Sequence, residues 1–253
     1  MRIRSLAAAT LSAAVVLSIG ASAVAAAQPT TLPAPVDYAY VRVLNAMTGQ
    51  PALDVYESRV AEGSLPQFPA VKFGTWTAYQ KAYFTPDCAG KSTCQIWFEM
   101  AVPGETSSFK KDDLDLRAGN YYTVALASTG STGPNFILVR EAMTKPAGSS
   151  LRFGNLTTDV TKNLDFSATT MTRRAGPGTS ASAQKVAYAQ VTPITPVISG
   201  PWWIGFGVSG SAWMSMPTKN ATLAAKKRYT AYAIGDLGEG GTYGARFILV
   251  PNR

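Results

Sequence analysis

The sequence repeats itself. Phe136-Ile137-Leu138-Val139 recurs 111 residues later as Phe247-Ile248-Leu249-Val250. Leu53-Asp54-Val55 recurs at the same offset as Leu164-Asp165-Phe166, and Arg42 with Asn45 recurs 110 residues on as Arg152 with Asn155. Leu116 with Tyr122-Thr123 recurs 107 residues on as Leu223 with Tyr229-Thr230. Four matches in one order at nearly one offset predict two homologous units of about 110 residues, each long enough for its own core. The first unit is expected over 38–142 and the second over 151–253. Between them, 143–150 reads as a Pro/Gly/Ser linker, Met143-Thr144-Lys145-Pro146-Ala147-Gly148-Ser149-Ser150. Residues 28–37 read as a further linker ahead of the first unit.

Both units read as β-structure. Val41 and Val43 alternate with Arg42, and Trp76-Thr77-Ala78-Tyr79 alternates likewise. Gln95 to Met100 is aromatic-rich, and Tyr121 to Ala127 is dense in β-formers. Phe136 to Val139 is a continuous apolar run, the pattern of a strand buried on both faces. No segment shows the period of an amphipathic helix. Short strands with Gly, Pro, Asn and Ser between them predict an all-β fold of two β-sandwiches. The units are unequal. Only the first holds cysteines, while the second carries a polar insert, Thr172 to Gln184, with Arg173-Arg174 and Gly176-Pro177-Gly178. That insert is expected to be a loop that orders on binding.

The start of the chain reads as an export signal over 1–27. Arg2 and Arg4 precede a small, apolar, uncharged stretch from Ala7 to Val24, and Ala25-Ala26-Ala27 forms a cleavage site. An uncleaved anchor is the alternative, because the stretch approaches spanning length. Its Ala and Ser content and its cleavage pattern favour removal. The expected location is the periplasm or the cell surface of a bacterium, with nothing spanning the membrane after cleavage. The two cysteines, Cys88 and Cys94, have five residues between them, all turn-formers. In an oxidising compartment such a pair is expected to form a disulfide, here stapling a hairpin tip.

The chain has no histidine at all. This excludes a Ser-His-Asp triad, a Cys-His dyad and imidazole metal ligation. A Gly-x-Ser-x-Gly elbow is absent too. The balance of 23 Lys+Arg against 15 Asp+Glu makes the chain basic, with Lys110-Lys111, Arg173-Arg174 and Lys226-Lys227-Arg228 as clusters. These would suit an anionic surface polymer, or would keep strand edges soluble. Lys110-Lys111 is followed by Asp112-Asp113 and is self-neutralising. Nucleic acid is not an expected partner outside the cytoplasm. Asn155-Leu-Thr and Asn220-Ala-Thr match the glycosylation sequon, a short and unspecific pattern.

An opening Val-Arg-Val-Leu-Asn, then Pro-Ala-Leu-Asp-Val-Tyr (Pro51 to Tyr56), Leu-x-Ala-Gly-x-Tyr-Tyr-Thr-Val-x-Leu-Ala (Leu116 to Ala127) and a closing Phe-Ile-Leu-Val form a signature. It resembles the bacterial domain of unknown function 4397 family. The resemblance covers the first unit well and the second more weakly, where Leu223-Ala224-Ala225-Lys226-Lys227-Arg228-Tyr229 departs from the glycine pattern. It implies two tandem immunoglobulin-like antiparallel β-sandwich domains in an exported cell-surface protein, and brings no catalytic residues. Asp54 and Asp165 are expected to be turn or strand-end hydrogen-bonders rather than ligands.

Aromatic residues among glycines stand out in the second unit. In Pro201-Trp202-Trp203-Ile204-Gly205-Phe206-Gly207-Val208, alternation puts Trp203, Gly205 and Gly207 on one strand face. Trp202, Ile204, Phe206 and Val208 take the other. Two adjacent tryptophans cannot share one core, so one should lie outside or under a loop. Trp202, Trp203, Phe206 and Trp213 are therefore the interface candidates, offering a flat surface to another chain, a glycan or an apolar pigment. Met214 and Met216, two apart on a strand, are the metal candidates, since paired thioethers suit Cu(I). The expected function is that of a non-enzymatic exported cell-envelope protein without cofactor. It would be a structural or accessory subunit of an S-layer-like surface assembly, or an adhesion module, in contact with other envelope proteins or copies of itself. The enzymatic alternative is an antioxidant resembling a copper-only superoxide dismutase sandwich, which the absence of histidine disfavours.

Overall fold

The computed structural model describes residues 37–50, 52–57, 65–105, 107–129, 133–142, 144, 146–171, 176, 178–211, 218–238 and 241–252. The segment 1–27 read as an export signal lies outside them. The first half comprises β1 (Tyr38–Ala46), β2 (Ala52–Glu57), β3 (Phe68–Lys72), β4 (Gln80–Tyr83), β5 (Thr93–Ala101), β6 (Lys110–Arg117), β7 (Tyr121–Thr129) and β8 (Gly133–Arg140). The second comprises β9 (Ser149–Thr157), β10 (Leu164–Thr170), β11 (Ser180–Val186), β12 (Thr195–Val197), β13 (Gly200–Val208), β14 (Thr218–Leu223), β15 (Arg228–Gly235) and β16 (Arg246–Asn252). Each half builds two sheets in the same order: β4-β1-β7-β8 with β3-β2-β5-β6, and β12-β9-β15-β16 with β11-β10-β13-β14. The pairings are antiparallel except β1 with β7 and β9 with β15, which run parallel. A parallel pair needs a crossover, and here the chain makes it through the facing sheet.

Three apolar layers hold these sheets together. Val41, Val43, Ile96, Phe98, Met100, Val124 and Leu126 fill the first sandwich. Phe153, Phe166, Trp202, Ile204, Phe206 and Phe247 fill the second. The third layer joins the sandwiches: Leu44, Ala46, Ala125, Ala127, Ile137 and Val139 pack against Leu156, Tyr232, Ile234, Ile248 and Val250. The β1 and β9 sheets are thus buried on both faces, which is why Phe136 to Val139 and Phe247 to Val250 read as unbroken apolar runs. The β5 and β13 sheets keep one outer face each. Tyr232 lies so close over Gly154 that a Cβ there would come within 2.6 Å of its ring.

Every repeated residue of the sequence has a matching structural task. Arg42 Nε donates to Thr123 Oγ1 at 2.8 Å, and Arg152 Nε to Thr230 Oγ1 at 2.9 Å. Each guanidinium then crosses to the other sandwich, Arg42 Nη1 to the Pro251 carbonyl and Arg152 Nη1 to that of Arg140. Between them Glu141 accepts from Arg42 Nη2 at 3.2 Å and from Arg152 Nη2 at 2.7 Å. The place of Glu141 in the second half is taken by Asn252, whose Oδ1 accepts from Arg42 Nη2 and whose Nδ2 donates to Thr230. Arg42, Arg152 and Glu141 are all buried.

The remaining repeats act inside each sandwich. Asn45 Nδ2 donates to the Val71 carbonyl and Asn155 Nδ2 to that of Val186, tying β1 to β3 and β9 to β11. Asp54 Oδ1 accepts the Ala70 N–H at 2.7 Å, and Asp165 Oδ1 accepts the Lys185 N–H at 2.8 Å. Ala70 and Lys185 are bulge residues with φ of 45° and 52°. The aspartates therefore secure a left-handed turn of backbone that non-glycine residues adopt only at a cost, as hydrogen-bonders in the sense the sequence suggested. Tyr122 Oη accepts the Arg117 N–H and Tyr229 Oη the Ala224 N–H, each from five residues back. This is the tyrosine corner of immunoglobulin-like sandwiches, present twice. Gly119 takes φ 71° in the first corner, and Lys226 takes φ 55° at the same place in the second.

Two expectations need correction. Cys88 and Cys94 are bonded, but they do not staple a hairpin tip. Cys88 ends a short 3-10 turn after β4, Cys94 lies in β5, and those strands belong to facing sheets, so the bond closes a crossover. Of the insert 172–184, Ser180 onward is strand β11, paired with β10. Its Ser-Ala alternation carries the period of two without bulky residues. Arg173 and Arg174 lie outside the described residues.

Removing the Glu141 carboxylate would leave two buried guanidiniums without their anion. Glu141→Ala is expected to cost about 3–5 kcal/mol and to split a single urea transition into two, read by circular dichroism. Lys226→Gly should raise stability by about 1 kcal/mol by relieving the left-handed backbone. Glu57, at the end of β2, has its pKa raised from 4.5 to about 7 by burial. The folded form therefore holds the proton more tightly than the unfolded chain, so stability falls as pH rises from 4.5 to about 7. Glu57→Gln should flatten that slope in denaturant titrations and leave the protein more stable at pH 8.

Candidate functional site

Strand β13 places its two tryptophans on opposite faces. Trp202 is fully buried and its Nε1 donates to the Ile198 carbonyl at 3.0 Å. Phe206 is fully buried too, with its ring 4.7 Å from Phe247 and 5.9 Å from Phe166. Both belong to the core, which corrects their reading as contact residues: they share the inward strand face, and the facing sheet covers it. Trp203 points the other way and is 37% exposed. Trp213, Met214 and Met216 lie outside the described residues.

A recess opens beside Trp203. The residues sharing its strand face, Gly205 and Gly207, have no side chains. In the register of the sheet, Gly205 stands opposite Ser167 and Gly207 opposite Asp165, with Ser182 opposite Ser167 on the next strand. Asp165, Ser167, Ser182, Gln184 and Trp203 line a depression of about 410 Å³. The indole leans across Gly205, where a Cβ would meet its ring at 2.9 Å. Asp165 commits one carboxylate oxygen to the Lys185 N–H. The recess thus offers a flat aromatic wall, a carboxylate, an amide and two hydroxyls, all on strands.

The first sandwich carries different side chains at the same place. The register makes Trp97 the counterpart of Trp203, Glu99 that of Gly205 and Tyr56 that of Ser167. Trp97 is 50% exposed. Glu99, however, is paired with Lys111 at 3.0 Å, and Tyr56 stands where the second sandwich has a serine. The small and polar residues around Trp203 are therefore not something the fold demands. Trp97 was not singled out in the sequence, although the aromatic-rich Gln95 to Met100 contains it 106 residues before Trp203.

A second aromatic group also escaped sequence reasoning. Tyr40 stacks on Tyr121 at 4.3 Å, Tyr79 meets Tyr121 edge-on at 5.1 Å, and Tyr38 sits between Tyr40 and Tyr83. Lys81 Nζ lies 4.2 Å over Tyr38, and Arg42 lies 4.7 Å over Tyr79. These rings cover the part of the β1 sheet that the second sandwich does not reach. Their faces are largely taken by one another and by cations. Tyr38 and Tyr40, two apart, were the signal.

Among the described residues, three of the clustered basic side chains have partners. Lys110 reaches Asp112 at 3.6 Å and Lys111 pairs with Glu99. Arg228 donates to the Ala142 carbonyl and to Thr144 Oγ1, fastening the connection between the sandwiches. Of the sequon asparagines, Asn155 is wholly buried.

Comparisons with known proteins place this chain. A search of curated proteins found no match. Among solved structures, the chain is similar to the family 41 carbohydrate-binding modules of streptococcal virulence factors, which recognise α-glucan, at 8% identity and a TM-score of 0.23, covering 76% of this chain and 93% of the other. It is similar to a family 26 module of Eubacterium rectale Amy13K, solved with maltoheptaose, at 8% identity and a TM-score of 0.22, covering 84% and 96%. A candidate cell adhesion protein of Bacteroides fragilis matches at 10% identity and a TM-score of 0.19, covering 82% and 85%. The profile of the domain of unknown function DUF4397 matches residues 39–167, from β1 into β10 and just over half of the sequence. The protein belongs to the DUF4397 family.

Proposed function

We propose that the protein is a non-enzymatic module of the bacterial cell envelope that acts by contact, and that the contact is made by the outer face of the β13 sheet around Trp203. The observation that carries this reading is a 37% exposed indole beside an open recess, on a strand whose other face is core. The middle sheets are consumed in joining the two sandwiches, which leaves the outer sheets to meet a partner. The disulfide fits an oxidising compartment, in keeping with export to the periplasm or surface. Among the described residues no helix is long and apolar enough to cross a membrane. The role is that of an accessory subunit of a surface assembly or an adhesion module.

Co-sedimentation with washed envelopes of the producing bacterium tests the reading. Trp203→Ser changes an exposed side chain, so stability should move by no more than about 0.5 kcal/mol. The variant is expected to fold, by circular dichroism and thermal melting, and to remain in the supernatant while the wild-type protein pellets. A folded variant that pellets fully would place the contact elsewhere.

A further inference from the structure

We infer that the recess beside Trp203 binds a sugar ring of a neutral glycan; this rests on the contact reading above and names its ligand. A pyranose ring has an apolar C–H face and a rim of hydroxyls. The recess matches both, with the indole as a flat apolar wall and Asp165, Ser167, Ser182 and Gln184 around it. The Asp165 carboxylate accepts hydrogen bonds from hydroxyls, the Gln184 amide both donates and accepts, and each serine does either. Exclusively apolar ligands would leave these groups without partners.

Size and charge narrow the ligand further. At about 410 Å³ the recess falls within the range of small-molecule sites, about 300–1,000 Å³. A stable protein contact covers about 800 Å² on each partner around an apolar centre. Among the described residues of this face, the large exposed apolar side chains are Trp203 and Met171. Among the described residues the lining holds one carboxylate and no cationic side chain, which disfavours acidic sugars. The site stands on three hydrogen-bonded strands, β10, β11 and β13, so little ordering is required on binding. The first sandwich supplies an internal contrast, because Tyr56 and Glu99 occupy the equivalent positions there.

The test is native electrophoresis through gels containing a mixed-linkage β-glucan, an arabinogalactan, a galactomannan or, as the acidic probe, alginate. Trp203→Ala removes the platform. Ser167→Tyr fills the recess with the residue that the first sandwich carries at this place. Trp97→Ala controls for surface aromatics in general. Retardation of the wild-type protein by a neutral polysaccharide, weakened about tenfold or more in the first two variants and kept in the third, supports the inference. Three results overturn it: no retardation by any neutral polysaccharide, retardation by alginate alone, or retardation that survives in both folded recess variants. Envelope co-sedimentation of the same proteins separates the two readings. Trp203-dependent pelleting without retardation leaves the contact surface standing with another ligand, whereas loss of Trp203 dependence in both assays removes the surface as well.

Discussion

The structure depends on the burial of two arginines against one glutamate between two sheets. Arg42 and Arg152 stand on the first strand of each sandwich and reach across to the last strand of the other. Desolvating such groups costs several kcal/mol each unless they are paired and fully hydrogen-bonded. Here threonine hydroxyls, backbone carbonyls, Glu141 and Asn252 meet them. Around this polar centre lies the apolar layer of Leu44, Ile137, Leu156 and Ile248. Apolar packing alone tolerates sliding of one sheet on another, whereas directional bonds at both guanidiniums allow one registration. Tyr232, packed on Gly154, shares the environment of Glu141, and burial followed by that carboxylate pushes its hydroxyl far above its ordinary range.

This arrangement decides which sheet faces stay open. With the β1 and β9 sheets facing each other, the open sheet faces are left to the outer sheets, whose exposed positions carry no duty to the core. Those positions have diverged. The inward positions of β5 and β13 hold large apolar residues, Ile96, Phe98 and Met100 in one and Trp202, Ile204 and Phe206 in the other. The outward residues between them are Trp97 and Glu99 in one sandwich, Trp203 and Gly205 in the other. A scaffold built twice has thus kept its inside and varied its outside.

Much of this was readable from residues. The repeat offsets, the strand alternation and the two-faced burial of Phe136 to Val139 follow from periodicity, which depends only on local geometry. The opposite orientation of Trp202 and Trp203 follows from the same period of two. What periodicity cannot supply is pairing across the sequence. That Arg42 meets Glu141, or that Asp165 faces Gly207, is set by which strands become neighbours. The disulfide was legible as a bond but not as a link between sheets, because β4 leaves its sheet before Cys88. Strand β11 was hidden by composition: Ser180, Ala181, Ser182 and Ala183 alternate as a strand does, yet their small side chains read as a loop. The recess takes its lining beyond Trp203 from two other strands, β10 and β11.

Glu141 and Asn252 occupy equivalent places but are not the same residue, and that difference has a consequence for assembly. Two identical subunits meeting on a two-fold axis would bring either two glutamates or two asparagines to the centre. One would add a second buried anion, and the other would leave both arginines without any. The single carboxylate shared by two guanidiniums is a broken symmetry that only unlike halves can hold. Joining them in one chain also makes their meeting intramolecular, so its strength is set by an effective concentration and is insensitive to dilution. The tether keeps the pair together at any dilution.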